Sequence, residues 1–139
     1  MQPWREEQGA VLMFVVGLAA ALLVLAGLVF DGGQILAARR EAYALADNAA
    51  RAGAQAVDLD ALRGLEQLRL KPAAAEAAAR SYLDRVGHEG VVTISDDTVQ
   101  VRVTQTVPLV VLPMVGLKAR TVSGVGEAHA VRGVTGPGG

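Results

Sequence analysis

The sequence contains no cysteine and few aromatic residues. Without cysteine the chain can form no disulfide, offers no thiol nucleophile and supplies no thiolate ligand to a metal. The aromatic side chains are Trp4, Phe14, Phe30, Tyr43 and Tyr82, too few and too scattered for a surface on which nucleic-acid bases stack. The formal net charge of −1 gives no general attraction to polyanions. We therefore expect no nucleic acid among the partners.

The sequence also lacks the side-chain patterns of an active site. The two histidines, His88 and His129, have no third ligand at the spacing of a metal site. Asp96 and Asp97 are adjacent, which suits a turn better than a pair of acid/base groups. The Gly-Val-Gly at 124–126 is not followed by the third glycine of a dinucleotide-binding fingerprint. We expect no enzymatic activity, no metal or other cofactor and no small-molecule substrate.

What the sequence does contain is an uninterrupted apolar run, Gly9–Phe30. Its 22 residues include no charged, amide or hydroxyl side chain, and 13 of them are Leu, Val or Phe. As a helix the run is roughly 33 Å long, enough to cross the ~30 Å hydrocarbon core of a bilayer. A buried core helix is the alternative, but a chain of 139 residues leaves little to enclose it on all sides. We therefore predict a transmembrane helix over residues 9–30, with the lipid bilayer as a partner.

The residues on either side of the run indicate whether it is cleaved and how it is oriented in the membrane. Residues 1–8 form a polar head in which one arginine and the amino terminus are balanced by two glutamates. A cleaved secretory signal has a positive head, a shorter apolar core and a small-residue cleavage site, so an uncleaved anchor fits better. Arg5 precedes the run, whereas Arg39, Arg40 and Arg51 follow it. Counted simply, the positive-inside rule places the C-terminal part in the cytoplasm.

Small residues inside the run and a polar exit after it are candidate functional positions. Gly17 and Ala21 form a small-x-x-x-small pair, which lets helices approach closely in lipid, although such residues are common in any span. Asp31, Gly32 and Gly33 follow the run directly. We predict that these three residues mark the boundary of the span, where paired glycines can loosen or bend the helix.

Residues 31–57 are predicted to extend the same helix beyond the span. Mostly small side chains recur there at spacings of three and four residues, which is a heptad-like stripe. The stripe consists of Ala38, Ala42, Leu45, Ala49, Ala52 and Ala56. Side chains of this size bury little area, so the stripe is suited to close packing. Its partner is either a helix of another subunit or a sheet of the same chain.

Residues 58–132 are predicted to form a small domain that begins with a helical part. Pro72 and Gly87 stand where a helix begins and ends, and the alanine-rich segment between them has high helix propensity. The expected buried edge of this helix comprises Ala75, Ala79, Tyr82 or Leu83, and Val86. Before it, leucines between Asp58 and Leu68 suggest a short amphipathic turn or helix.

After Gly90 the hydrophobic period changes to two, which is typical of strands. Two strands flank a turn at Ser95–Asp97, and a third runs from Lys118 to Arg132, with its glycines suggesting a bulge or a close backbone approach. The apolar segment 107–117 is too short to span and is expected to be a short buried or interfacial helix, or a loop. The fold class is therefore α+β: a long N-terminal transmembrane helix extends into a small soluble domain with a further Ala-rich helix and a three-stranded antiparallel sheet. Residues 133–139 are predicted to be a flexible Gly/Pro tail.

Two adjoining stretches, together covering residues 8–57, resemble the TadE/TadG-like family of Flp (Tad) pilus-assembly proteins, which are minor pilins or pseudopilins. They are the glycine-led span with its Asp31-Gly32 exit and the alanine-rich helix that follows it. The string ADNAARAGA, residues 46–54, looks like the most recognisable part of that family. The C-terminal layout, two strands and a turn followed by an apolar segment and a last strand, is similar to it more loosely.

The resemblance implies a membrane-anchored structural or assembly component of a Tad pilus or a related secretion machine, acting by contact and not by catalysis. Its partners would be other pilin-like subunits and inner-membrane assembly proteins. It implies a cytoplasmic N-terminus and an extracytoplasmic C-terminal domain, against the arginine count. Pilin-type processing would cut after Gly9, although Phe14 stands where such sites carry a glutamate. The alternative is a single-pass binding or regulatory protein with an extracytoplasmic sensing domain.

Overall fold

The structure, a computed structural model, describes residues 4–56 and 71–130. Helix α1 comprises Trp4–Ala54 and helix α2 comprises Pro72–Val86. Strands β1, β2 and β3 comprise Gly90–Ser95, Thr98–Val107 and Arg120–His129, and a 3-10 helix, Leu112–Val115, lies between β2 and β3. The strands form one antiparallel sheet in the order β1-β2-β3, which confirms the predicted α+β class. The leucine-rich segment from Asp58 to Leu68 and the tail 133–139 lie outside the described residues.

The chain divides into two compact units. The first comprises Met1–Leu36 and Val107–Arg120, and the second comprises Ala37–Thr106 and Thr121–Gly139. The first unit therefore contains the apolar part of α1 and the connection between β2 and β3. The second contains the alanine-rich part of α1, helix α2 and most of the sheet.

Helix α1 begins earlier than the apolar run predicts. It starts at Trp4, so most of the polar head is helical, and it continues through Gly32 and Gly33 to Ala54 without a break in the helical assignment. Leu, Val and Ala dominate its first part, and alanine, the strongest helix former, dominates its second. The helical extension predicted to reach residue 57 thus ends at Ala54.

Helix α2 has the bounds that its end signals predict. Pro72 occupies the first turn, and Gly87 adopts a left-handed conformation with φ 73°, while the N–H groups of Gly87 and His88 donate to carbonyls of the last turn. Its buried residues are Ala75, Ala79 and Leu83, as predicted. The prediction for Val86 is wrong, since 40% of this residue is exposed. The buried edge advances by four residues at each step, so its next position after Leu83 is 87 and not 86.

The first two strands form a hairpin with a two-residue loop. Ser95 pairs with Thr98, and Asp96 and Asp97 make the turn, with Asp96 at φ 51°. Aspartate tolerates this left-handed conformation better than most residues because its short polar side chain bonds locally. Along β2 the alternation is regular: Val99, Val101 and Val103 are fully buried, and the residues between them are exposed. Strand β3 occupies the middle of the predicted range 118–132, of which residues 131 and 132 are not described.

The core of the second unit consists mainly of small residues. Alanines of α1 and α2 pack with Leu83 and with valines of β2. The cluster comprises Ala42, Ala46, Ala49, Ala50, Ala54, Ala75, Ala79, Leu83, Val99, Val101, Val103 and Ala130. Because alanine presents a single methyl group, helices and sheet approach one another closely here, and burial is obtained from short interelement distances instead of large side chains.

Candidate functional site

The apolar run forms an exposed surface on α1. Every residue from Gly9 to Phe30 except Gly27 is exposed, and only 6% of the most apolar window is buried. Within the described residues, α1 is the one helix that is long and apolar enough to cross a membrane. A core helix of a soluble protein buries such a surface against its own chain, whereas a bilayer solvates it. Helix α1 is therefore a candidate membrane span.

The small residues predicted to pack against other helices are accessible in this span. A Cβ atom built on Gly9 or Gly17 meets no atom within 4 Å, and Ala21 is exposed. A methyl group at either glycine therefore meets no other part of the described chain. Their contact with a neighbouring helix stays a prediction, as does processing at Gly9.

Asp31 holds the connection between β2 and β3 against α1 within the first unit. The backbone N–H of Val110 donates to Oδ1 at 3.1 Å, and those of Val111 and Leu112 donate to Oδ2 at 2.9 and 2.8 Å. The residue is fully buried. Val111 is the N-cap of the 3-10 helix, so the carboxylate satisfies amide groups that the start of this helix leaves unpaired.

A close contact next to Asp31 reinforces this attachment. A Cβ atom on Gly27 would lie 2.5 Å from Cγ1 of Val111 and 2.7 Å from its Cγ2. Real Cβ atoms do not approach that closely, so the Val111 side chain occupies the space that a larger residue at 27 would need. Gly32 and Gly33 have open space around them, and their role as a span boundary with Asp31 stays a prediction.

The alanine stripe packs mainly against the protein's own chain. Ala42 and Ala49 are fully buried in the core cluster of the second unit, and Leu45 and Ala56 pack against that cluster. Ala38 and Ala52 are half-buried. The predicted contact of the stripe with another subunit is therefore not open to Ala42 and Ala49, because their side chains reach no surface.

Two glycines of β3 explain why this part of α1 carries alanine. A Cβ on Gly124 would collide with the backbone of Ala42 and Tyr43, and one on Gly126 would collide with the backbone of Ala46 and Asp47. Residues two apart in a strand are about 6.7 Å apart, and residues four apart in a helix rise about 6 Å, so the two pairs match in spacing. Of the bulge and the close backbone approach that these glycines suggested, the structure shows the close approach.

A third glycine lies where both helices meet the sheet. A Cβ on Gly53 would lie 2.9 Å from Cγ1 of Val99, 3.0 Å from the carbonyl oxygen of Ala75 and 3.4 Å from Cβ of Ala79. Gly53 thus permits α1, α2 and β2 to converge. No periodicity singles out this position, because its neighbours in the sequence are equally small.

The titratable side chains considered for chemistry lie apart from the core. The Nδ1 atom of His129 lies 2.8 Å from the hydroxyl of Thr98, and its Nε2 lies 3.4 Å from a carboxylate oxygen of Glu127. His88 and Glu89 line a pocket together with Gly90 and residues of α2. Among residues 4–56 and 71–130, no group of three or more His, Asp or Glu side chains is placed to hold a metal.

Sequence reasoning missed four buried positions of α1 and the partners of Asp31. Ala46, Ala50, Gly53 and Ala54 are buried, although the heptad-like stripe omits all four. The signal that identifies Ala46 is the match between two glycines two apart in β3 and two alanines four apart in α1. The polar residues of the same segment point outward, where Arg51 forms an exposed ion pair with Asp47 at 2.9 Å.

The comparisons with known proteins concern the same part of the chain. No curated protein and no solved structure matches it significantly. The match that was found covers residues 9–56, which comprise the exposed apolar part of α1, Asp31 and the buried alanine face. These residues match the Tad family model, described as Flp pilus-assembly TadE/G-like, which confirms the resemblance that the sequence suggested.

Proposed function

We propose that the protein is a membrane-anchored structural or assembly component of a Flp (Tad) pilus or a related secretion machine, of the minor pilin or pseudopilin type. One observation carries the proposal: the residues that match the family model, 9–56, are those that combine the exposed apolar helix with its buried alanine-rich continuation. The span anchors the chain, and the folded second unit contacts other components. Function follows from contact between proteins, with no catalytic step.

In this proposal the partners are other pilin-like subunits and inner-membrane assembly proteins, and the contact within the membrane is made by Gly17 and Ala21. These residues lie four apart on one helix face; a Cβ on Gly17 meets no atom within 4 Å, and Ala21 is exposed. Small residues on such a face permit the close helix approach on which association in lipid depends.

The test is crosslinking and co-purification of the full chain from native membranes with its pilin-like neighbours. We expect Ala21→Leu to reduce recovery of these neighbours, because the larger side chain separates the two helices. Ala19→Leu is the matched control, since residue 19 lies about 200° around the helix from residue 17 and faces away. Equal recovery with both variants would contradict the packing face. A stable monomer without any pilin-like neighbour would instead favour a single-pass binding or regulatory protein.

We further propose that residues 1–9 are retained in the mature protein. Pilin-type processing after Gly9 would be expected to use a glutamate five residues on, and Phe14 occupies that position. Mass spectrometry of the protein isolated from membranes measures this directly. Detection of a chain that begins at Ala10 would overturn the proposal and would establish processing in spite of Phe14.

A further inference from the structure

The connection between β2 and β3 exposes apolar side chains in the first unit. We name residues 108–117 the apolar loop; they contain no charged residue. Met114 is 86% exposed, Val110 62% and Leu117 51%. These residues lie within a segment that Asp31 holds by three hydrogen bonds, so the exposed side chains form part of an ordered surface. Several exposed apolar side chains within one short segment indicate a site that binds a protein or a membrane.

The position of the apolar loop along α1 identifies the bilayer as its partner. Val111 contacts Gly27, which lies three residues, or about 4.5 Å, inside the end of the apolar run. The loop therefore adjoins the lipid-facing surface of the span itself. Because the loop is continuous with the span, its expected partner is the bilayer and not an unidentified protein.

The residues that follow the loop fit the same partner. Lys118 and Arg120 are exposed and belong to the same unit. Long basic side chains beside an apolar segment extend toward lipid phosphates while their aliphatic stems remain on the apolar side. The order along the chain, apolar residues first and cations next, is the order in which a segment passes from acyl chains to headgroups.

We propose that the apolar loop is a second membrane contact, in which Val110, Met114 and Leu117 enter the boundary between headgroups and acyl chains on the side where the span ends. Interfacial segments are typically buried about 5–10 Å into this region. The inference rests on the membrane anchoring of the proposed function and not on its role in a pilus. It holds for either orientation of the chain, because the loop and the end of the span lie on the same side.

The absence of cysteine allows a direct test with single labels. The full chain carrying Met114→Cys is labelled with a polarity-sensitive fluorophore and reconstituted in phosphatidylcholine–phosphatidylglycerol vesicles that contain spin-labelled lipids. We expect a blue-shifted emission and stronger quenching by spin labels near the glycerol backbone than by labels near the chain ends. Thr104→Cys, an exposed position in β2, is the control in water, and Leu23→Cys is the control in the span.

The outcomes separate the loop from the anchor. If Leu23→Cys is quenched and Met114→Cys behaves like Thr104→Cys, the span is inserted and the loop proposal is wrong. If Leu23→Cys is not quenched, the membrane anchoring of the proposed function fails and the loop proposal fails with it. A blue shift at Met114 that persists in detergent and is insensitive to spin-labelled lipids would assign the loop to a protein contact, which also overturns the proposal.

A second variant tests the apolar contact by a change of charge. With the label placed at Val110→Cys, Met114→Glu introduces a carboxylate that the acyl region disfavours. We expect this change to reduce quenching at residue 110, whereas Thr104→Glu leaves it unchanged. Equal quenching with and without the charge would overturn the proposal.

Discussion

At the scale of single residues, the absence of a side chain at Gly126 fixes how near β3 lies to α1. A Cβ there would meet the backbone of Ala46 and Asp47, which cannot rotate away as a flexible side chain can. We expect Gly126→Ala to lower the free energy of unfolding of the second unit by about 1–3 kcal/mol, the usual cost of overpacking a core. Thermal unfolding of the full chain in detergent, followed by circular dichroism, measures the change.

The control for this substitution is Gly33→Ala, since a Cβ at residue 33 meets no atom within 4 Å. Alanine is the better helix former by up to about 1 kcal/mol, so this variant should be neutral or slightly more stable. A Gly126→Ala protein as stable as the Gly33→Ala protein would show that β3 and α1 are not packed backbone to backbone.

Asp31 is the second residue whose role can be tested by itself. Replacing it by alanine removes the acceptor of three backbone N–H groups, and buried donors left without a partner favour local opening. We expect Asp31→Ala to accelerate hydrogen exchange in the peptide that contains residues 110–112. Asp31→Asn, which keeps one acceptor oxygen, should have an intermediate effect.

Asp84 provides the comparison, because it is exposed and lies in α2. Asp84→Ala should leave exchange of the 110–112 peptide unchanged. If the 110–112 peptide exchanges as slowly in the Asp31→Ala protein as in the unaltered protein, the loop is held by packing, such as the contact of Val111 with Gly27, and not by the carboxylate.

At the scale of elements, the sequence predicts the helices and strands that have clear end signals or a clear hydrophobic period. Pro72 and Gly87 delimit α2, and the alternation of valines with polar residues identifies β2. The buried face of α1 is different, because alanine occupies so many consecutive positions that several stripes fit equally well. The choice among them depends on Gly124 and Gly126, which lie about 80 residues further along the chain. The contact of Asp31 with residues 110–112 is also missed, because its partners lie about 80 residues further along the chain.

The orientation of α1 about its own axis leads to a prediction for the element. Ala46 is fully buried, and Ala44, only two residues before it, is exposed. We expect Ala46→Leu to destabilise the second unit, because the larger side chain has no space beside β3, and Ala44→Leu to have little effect. Denaturant unfolding of the two variants compares identical substitutions in one helix. Greater destabilisation by Ala44→Leu would indicate that the opposite face of α1 is the packed one.

At the scale of the whole molecule, orientation in the membrane is decided by weak signals. Arg39 and Arg40 lie within about 15–20 residues of the end of the run, where the positive-inside rule applies, whereas Arg51 lies beyond that range and is paired with Asp47. The positive charges that count are therefore two arginines after the span, compared with Arg5 and the amino terminus before it. A difference this small need not override the cytoplasmic N-terminus that the family resemblance implies.

Single cysteines decide the orientation, since the native chain has none to interfere. Ser81 is exposed in α2. In cells with an intact cytoplasmic membrane, we expect a membrane-impermeant maleimide to label Ser81→Cys and to leave Gln2→Cys unlabelled until the cells are lysed. The reverse pattern would place the folded unit in the cytoplasm, as the full arginine count suggests, and would exclude it from contact with an assembled pilus outside the membrane. Labelling of the span control Leu23→Cys should fail in intact cells, because acyl chains cover that position and a thiol there does not ionise to the reactive thiolate.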